Sequence, residues 1–289
     1  MPVHAVLVPL APAGLLRRAL RHPSLVLGAL LSLLLVAAAG LSWVWTPWSP
    51  YDMDLAQKLQ PPTALHWLGT DAFGRDVASL LLVGARSSLL VGVVAVGIGL
   101  SLGTALGLLA SARRGGVEAW IMRLADFSLA FPAILSAIMM TAVFGAGLAN
   151  AILAIALFNV PTFVRVTRAS ANAVHAREYI LAARACGQGP WRITLDHVLP
   201  NILPTLIVQA TIQFALAILA EAALSYLGLG TQPPQPSCGR MLNDAQTLMF
   251  QAPLLAVWPG LAIALAVLGL NLLGDGLRDL LDPRLSRPR

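Results

Sequence analysis

The sequence has few charged side chains and only one lysine. Asp, Glu, Lys and Arg make up 11% of its 289 residues, whereas soluble domains contain about 25%. Because Lys58 is the only lysine, the chain cannot form the Gly-x-x-x-x-Gly-Lys-Ser/Thr loop that cradles ATP phosphates. It also lacks His-Glu-x-x-His and any pair of His or Cys at metal-ligand spacing. These absences argue against an enzyme, a metal centre and ATP binding by this chain.

Apolar residues are abundant instead. They make up 57% of the chain, and its mean hydropathy is +0.77, values that indicate an all-α polytopic membrane protein. The net charge of +6 comes almost entirely from arginines that flank apolar runs, so nucleic-acid binding is not expected.

Six apolar runs are candidate membrane spans, at 24–45, 88–110, 127–144, 151–164, 203–227 and 254–273. Small residues at 37–40 resemble a signal-peptide cleavage site, but the first run continues into Trp43 and Trp45. Signal peptides have apolar cores of about 7–15 residues, so an uncleaved span is favoured. Gly99, Gly103 and Gly107 in the second run predict close packing against another helix.

The distribution of positive charge predicts the orientation. With six spans, fifteen of the nineteen Lys and Arg residues fall on one side and four on the other. The positive side is cytoplasmic by the positive-inside rule, so both termini and the segment between the fourth and fifth spans are expected in the cytoplasm. Cys186 and Cys238 then lie on opposite sides of the membrane, and no internal disulfide is expected.

Residues 178–201, EYILAARACGQGPWRITLDHVLPN, form a polar stretch between apolar spans. Helix formers around Ala182 and Ala183 predict a short helix. Gly187, Gly189 and Pro190 end it, and a second helical stretch is expected from about 191 to 200. A helix, a break and a second helix between two spans predict a protrusion that contacts a partner.

This stretch resembles the cytoplasmic loop of ABC-importer permeases, in which an Ala-Ala pair is followed four residues later by Gly and then by Leu-Pro. The matching residues here are Ala182, Ala183, Gly187, Leu199 and Pro200. In that family the loop forms a coupling helix that docks into a separate ATPase subunit. The resemblance implies that the coupling residues are Glu178, Ala182, Ala183, Arg184, Gly187, Leu199 and Pro200. The chain departs from the family at Leu181, where Glu is often found.

Two further stretches are similar to the peptide and nickel branch of this family. The segment HWLGTDAFGRD at 66–76 matches the sequence that follows the first span in that branch, and the stretch from 227 to 239 and the tail from 271 to 284 match as well. Cys238 stands where the branch usually has Trp. The first of these stretches, taken by itself, predicts a solvated, capped loop leading into a helix.

The resemblance implies a type I ABC importer permease with six transmembrane helices in the bacterial inner membrane. Residues 1–86 would form an N-terminal segment, first span and extracytoplasmic loop, and residues 87–289 the permease core with its coupling loop at 165–203. Expected partners are a homologous second permease, one or two cytoplasmic ABC ATPases, an extracytoplasmic solute-binding protein and membrane lipid. The chain would bind no cofactor, with ATP and Mg on the ATPase. Di- or oligopeptides are the expected cargo, with nickel or a metal chelate as the alternative.

Glu221 is an acidic residue inside the fifth span, where a carboxylate is costly and is a functional candidate. Gln209, Gln213, Glu221 and Ser225 recur at spacings of four and eight, so they approach one helix face. They predict either a polar stripe along a translocation pathway or hydrogen bonds between helices. A proton-coupled secondary carrier, with Glu221 as proton relay, is the alternative from another class.

Overall fold

The computed structural model describes residues 19, 20 and 22–281. In this part of the chain the regular secondary structure is helical, apart from one isolated bridge between Thr70 and Asp76. Its α-helices are α1 (Pro23–Val44), α2 (Val77–Ala112), α3 (Gly116–Ala130), α4 (Ala133–Phe144), α5 (Leu148–His175), α6 (Glu178–Ala185), α7 (Pro190–Ile193), α8 (Leu199–Tyr226), α9 (Cys238–Ala245) and α10 (Leu254–Leu281). Short 3-10 turns cover Leu55–Gln57 and Gln246–Leu248, and a π turn covers Thr194–Val198.

Five stretches are long and apolar enough to cross a membrane: α1, α2, α5, the run Pro190–Tyr226, and α10; α3 with α4 makes a sixth candidate. The predicted all-α chain with six spans is therefore confirmed in outline. Six of the arginines that set the predicted orientation lie outside the described residues: Arg17, Arg18, Arg21, Arg284, Arg287 and Arg289.

Glycines allow the helices to approach closely. A Cβ on Gly103 would lie 2.6 Å from the carbonyl oxygen of Val160, and one on Gly99 would lie 2.4 Å from the Cβ of Asn159. The small residues of α2 therefore pack directly on α5, as the sequence predicted. Helix α1 also packs closely at a glycine, since a Cβ on Gly28 would lie 2.3 Å from the backbone nitrogen of Leu273 in α10. Helix α1 is thus an integral part of the bundle.

Several helices extend beyond the predicted spans. Helix α2 begins at Val77 instead of 88, because Asp76 caps it by accepting the Ser79 N–H at 2.8 Å. It therefore runs through the expected boundary between residues 86 and 87. Helix α10 likewise continues to Leu281 instead of ending at 273. Apolar composition marks where a helix contacts lipid, whereas capping and hydrogen bonding decide where it ends.

Helix α5 continues to His175, so the expected loop at 165–203 is shorter than predicted. Arg165 and Arg168, assigned to the loop from sequence, lie on this helix. Arg165 donates to Asp126 at 2.6 Å, and Arg168 donates through Nε to Glu118 at 2.8 Å. These ion pairs tie α5 to α3.

The third predicted span, 127–144, is broken in the structure. Helices α3 and α4 meet at an angle of 85° across Phe131 and Pro132. Proline lacks the N–H needed to continue a helix and pushes the preceding residue into an extended conformation, and Phe131 has φ −94° and ψ 137°. The sequence predicted one straight span here because the residues on both sides of the bend are apolar, and hydropathy contains no information about helix direction.

Candidate functional site

The first half of residues 178–201, here called the loop segment, is a two-turn helix closed by a Schellman motif. The N–H of Gly187 donates to the Arg184 carbonyl at 2.9 Å, and the N–H of Gln188 donates to the Ala183 carbonyl at 3.1 Å. This pair of bonds needs a left-handed residue directly after the helix cap. Gly187, with φ +80°, is that residue.

The motif explains the spacing between the alanine pair and the glycine. Ala183 supplies a carbonyl that the cap uses, and Gly187 supplies the backbone conformation that closes it. A Cβ on Gly187 would meet no atom of the described residues within 4 Å, so within that part of the chain it is the φ angle that requires glycine. Gly189 has φ −69°, which any residue adopts.

The second half of the loop segment continues into the membrane helix. The sequence predicted a separate helix ending near 200, but α7, the π turn and α8 form one run, Pro190–Tyr226. Leu199 donates its N–H to the Thr194 carbonyl, five residues back. This wider turn lets the helix pass Pro200, which has no N–H to donate.

Side chains join the two halves of the loop segment. The Nε2 of His197 lies 3.1 Å from the Oε1 of Gln188, and the His197 ring packs edge-on against Tyr179 with centroids 6.3 Å apart. The segment therefore has internal contacts that support it as one unit on the end of α8.

The loop segment has a buried face and an exposed apolar face. Ile180, Ile193 and Val198 are buried in the core. Four large side chains point outward, at 43–57% exposure: Tyr179, Leu181, Trp191 and Leu195. A concentration of large exposed apolar side chains in one short segment is a feature of protein-interaction sites.

The expected coupling residues fall into two groups. Glu178, Ala182, Arg184 and Gly187 are exposed on or beside α6, and Ala183 is partly buried against the core. Leu199 and Pro200 instead begin α8, with Leu199 partly buried. The structure thus joins the first group into one helix and cap, separate from the last two.

Glu221 lies in a closed polar cluster near the end of α8. Its Oε1 accepts from the Ser225 hydroxyl at 2.6 Å and from the Thr231 hydroxyl at 3.1 Å. The Ser225 hydroxyl in turn accepts the Thr231 N–H at 2.9 Å. All three residues are at most 1% exposed. The cluster fastens the following loop onto the helix.

A cavity of about 600 Å³ lies between the α3–α4 bend, α5 and α8. Most of its lining is apolar, and Asn159 and Gln213 supply its amide groups. Of the predicted stripe, Gln213 lines this cavity, whereas Gln209, Glu221 and Ser225 do not. Asn159 was not predicted, although an Asn inside the apolar run 151–164 was a usable signal.

The segment at 66–76 is only partly solvated, since Trp67 and Phe73 are exposed whereas His66, Thr70 and Asp76 are buried. The expected cap is present at Asp76. His66 Nδ1 lies 3.0 Å from the Asp76 carboxylate, and both residues are at most 6% exposed. A Cβ on Gly74 would lie 1.8 Å from the Asp54 carbonyl oxygen. The turn residues predicted that this segment is exposed to solvent, but residues that precede it, such as Asp54, pack over part of it.

Among the described residues, no three His, Cys, Asp or Glu side chains lie close enough together to hold a metal ion. The same part of the chain shows Cys186 exposed and Cys238 buried, both as free thiols.

A family model described as binding-protein-dependent transport system inner membrane component matches residues 99–287. The glutathione transport system permease protein GsiD of Pectobacterium atrosepticum is 43% identical over 275 residues, covering 93% of this chain and 90% of that protein. The dipeptide transport system permease protein DppC of Alkalihalophilus pseudofirmus is 47% identical over 231 residues, covering 80% of this chain and 76% of that protein.

A solved structure of the MetNI methionine ABC transporter, in an inward-facing conformation, shares the fold. Its matching chain aligns with a TM-score of 0.58 at 22% identity, over 70% of this chain and 97% of that one.

Proposed function

This chain belongs to the family of binding-protein-dependent transport system inner membrane components, and on that premise we propose that it is the permease subunit of an ATP-driven importer of di- or oligopeptides, glutathione included. The proposed cargo rests on the sequence identity of 43–47% to permeases named for glutathione and dipeptide transport. The family places the chain in the inner membrane as a multi-pass protein.

The loop segment is the proposed contact with the ATPase subunit. It combines an exposed apolar face with a second half that is helically continuous with α8. A push on Trp191 or Leu195 is therefore transmitted along a continuous helix to Gln213 at the cavity. ATP and Mg are assigned to the ATPase subunit, and this chain binds neither.

The proposed pathway runs along the cavity between the α3–α4 bend, α5 and α8. Exposed apolar side chains on both sides of the bend, such as Phe127, Phe131 and Met139, leave this face uncovered within the chain. A homologous second permease would close the cavity into a channel. Gln213 and Asn159 are assigned to the pathway, and Glu221 and Ser225 to holding the end of α8.

The proposed orientation places both termini and the loop segment in the cytoplasm. The segments at 45–76 and 227–253 then face the extracytoplasmic solute-binding protein. Arginine placement supports this, since Arg177, Arg184 and Arg192 all lie in or next to the loop segment.

The first experiment is a mild-detergent pull-down of the tagged full-length chain from its native membranes, with co-purifying chains identified by mass. We expect a second permease of similar size and at least one ATPase with a phosphate-binding loop. A solute-binding protein that co-purifies, or is encoded beside them, should bind peptides. Recovery of the chain alone would contradict the importer and would favour the proton-coupled carrier.

A further inference from the structure

A second cavity, of about 260 Å³, lies where the ends of α2 and α5 meet the loop segment. Its lining residues are Ser111, Ala112, Arg114, His175, Arg184, Pro190 and Ile193. Ser111, His175 and Ile193 are buried and form its floor, and Arg114 and Arg184 are exposed beside it. It shares no residue with the transmembrane cavity.

The titratable side chains of this cavity are hydrogen-bond donors. Arg184 Nη2 lies 3.4 Å from His175 Nδ1. A guanidinium only donates, so Nδ1 accepts and the ring proton sits on Nε2. His175 is 6% exposed, and its Nε2 has no hydrogen-bond partner among the described residues. A buried N–H without an acceptor is costly.

None of the described residues that line the cavity is acidic. Among the described residues, Arg114 and Arg184 form no ion pair, while Glu118 pairs with Arg168 and Asp196 with Arg192. Two positive charges therefore face one site without a counter-charge from this part of the chain.

We propose that this cavity binds an anionic phosphate group, held by Arg114 and Arg184 beside His175. Guanidinium groups bind phosphate through paired hydrogen bonds, and basic pockets between membrane helices bind the head groups of anionic lipids. A water molecule occupies about 30 Å³, so the site has room for a phosphate and part of its hydration shell. Its position at the end of two spans makes it accessible to a phospholipid head group and to a soluble phosphate.

This phosphate site is separate from the proposed transport of cargo. Because Arg184 also lies on the proposed coupling helix, a phosphate in the cavity would link α2 to the loop segment. Its occupancy would therefore set how firmly that segment is held against the bundle.

The test compares wild-type chain with Arg114→Gln, using Arg113→Gln as matched control. Arg113 carries the same charge one residue away but does not line the cavity. Each full-length chain, purified with its co-purifying subunits, is placed in phosphatidylcholine nanodiscs with or without phosphatidylglycerol. Bound phosphatidylglycerol is counted by native mass spectrometry. In a second arm, inorganic phosphate is titrated in phosphatidylcholine nanodiscs, and the thermal unfolding midpoint is recorded.

We expect Arg114→Gln to weaken binding about tenfold, since a hydrogen bond to a charged group is lost, and Arg113→Gln to leave it unchanged. An effect in the phosphatidylglycerol arm identifies a lipid phosphate, and an effect in the inorganic phosphate arm identifies a soluble one. No binding in either arm, or equal loss in both variants, would overturn the proposal. Arg184→Gln gives a second measurement of binding if Arg114→Gln has a lowered unfolding midpoint without ligand.

Discussion

At the level of single residues, Glu221 shows how an acidic side chain is accommodated in a membrane helix. Its carboxylate accepts two hydroxyl hydrogen bonds, from Ser225 on the same helix and from Thr231 in the following loop. Both donors are buried, so the acid satisfies groups that would otherwise lack partners. This geometry favours a structural role over direct contact with cargo.

Glu221→Gln should leave assembly and peptide uptake near wild type, because the amide oxygen still accepts both hydroxyls. Glu221→Leu removes the acceptor, strands two buried hydroxyls and should lower the free energy of unfolding by about 1–3 kcal/mol. Uptake into cells and the thermal unfolding midpoint of the purified complex measure the two effects. If Glu221→Gln assembles normally but loses uptake, Glu221 would instead be assigned to the translocation pathway.

At the level of elements, the loop segment is a short helix whose end is fixed by one left-handed residue. The Schellman bonds from Gly187 and Gln188 hold α6 closed before the chain turns into α7. Leu181, at a position where the family often has an acidic residue, is exposed on this helix, so the proposed docking would rely more on apolar contact here. A Cβ on Gly187 would touch none of the residues that the structure describes, so this position is open to the proposed partner.

Gly187→Ala should lower the stability of the loop segment by about 1–2 kcal/mol, because a residue with a Cβ is strained at positive φ. Gly189→Ala is the matched control, since Gly189 has an ordinary φ and equally open surroundings. Protease sensitivity of the loop in purified protein measures the difference. Equal behaviour of the two alanine variants would contradict the cap.

Gly187→Trp adds a large side chain at a position where a Cβ would have no neighbour within 4 Å among the described residues. We therefore expect normal membrane insertion, continued ATP hydrolysis and lost uptake, measured as ATPase activity and peptide transport in proteoliposomes. The comparison with Gly187→Ala separates a steric effect on the partner from backbone strain. Unimpaired uptake would argue against docking at this position.

At the level of the whole molecule, the described helices cover the core on one side more than on the other. Its core lies between α2, α5 and α8, while α3 and α4 hold much of their apolar surface outside it. Helix α10 packs against both α1 and α8 and closes the opposite side. The cavity beside the bend is therefore open on the side where a second permease is expected.

The two cysteines test the orientation of the whole chain. Cys186 is exposed on the loop segment. Burial, reinforced by the carboxylate of Glu221, raises the pKa of the Cys238 thiol to about 12, so at pH 7–8 it stays protonated and unreactive. A membrane-impermeant maleimide should label wild-type chain in inside-out vesicles but not in intact spheroplasts, and Cys186→Ser should abolish the label. Labelling of wild type from outside would contradict the cytoplasmic loop.

The sequence by itself determined the membrane class, the approximate number of spans, the small-residue packing of α2 and the position of the loop segment. These properties follow from local composition and short spacings, since twenty apolar residues define a span and Gly187 defines a cap. The tertiary structure decided the bend at Pro132, the continuity of Pro190–Tyr226, and which polar residues share a cavity. Gln213 and Glu221 lie two helical turns apart on α8, yet Gln213 lines a cavity and Glu221 lies in a closed hydrogen-bonded cluster. The difference arises because neighbouring elements cover Glu221 and leave Gln213 at the cavity, and a local sequence pattern contains no information about those neighbours.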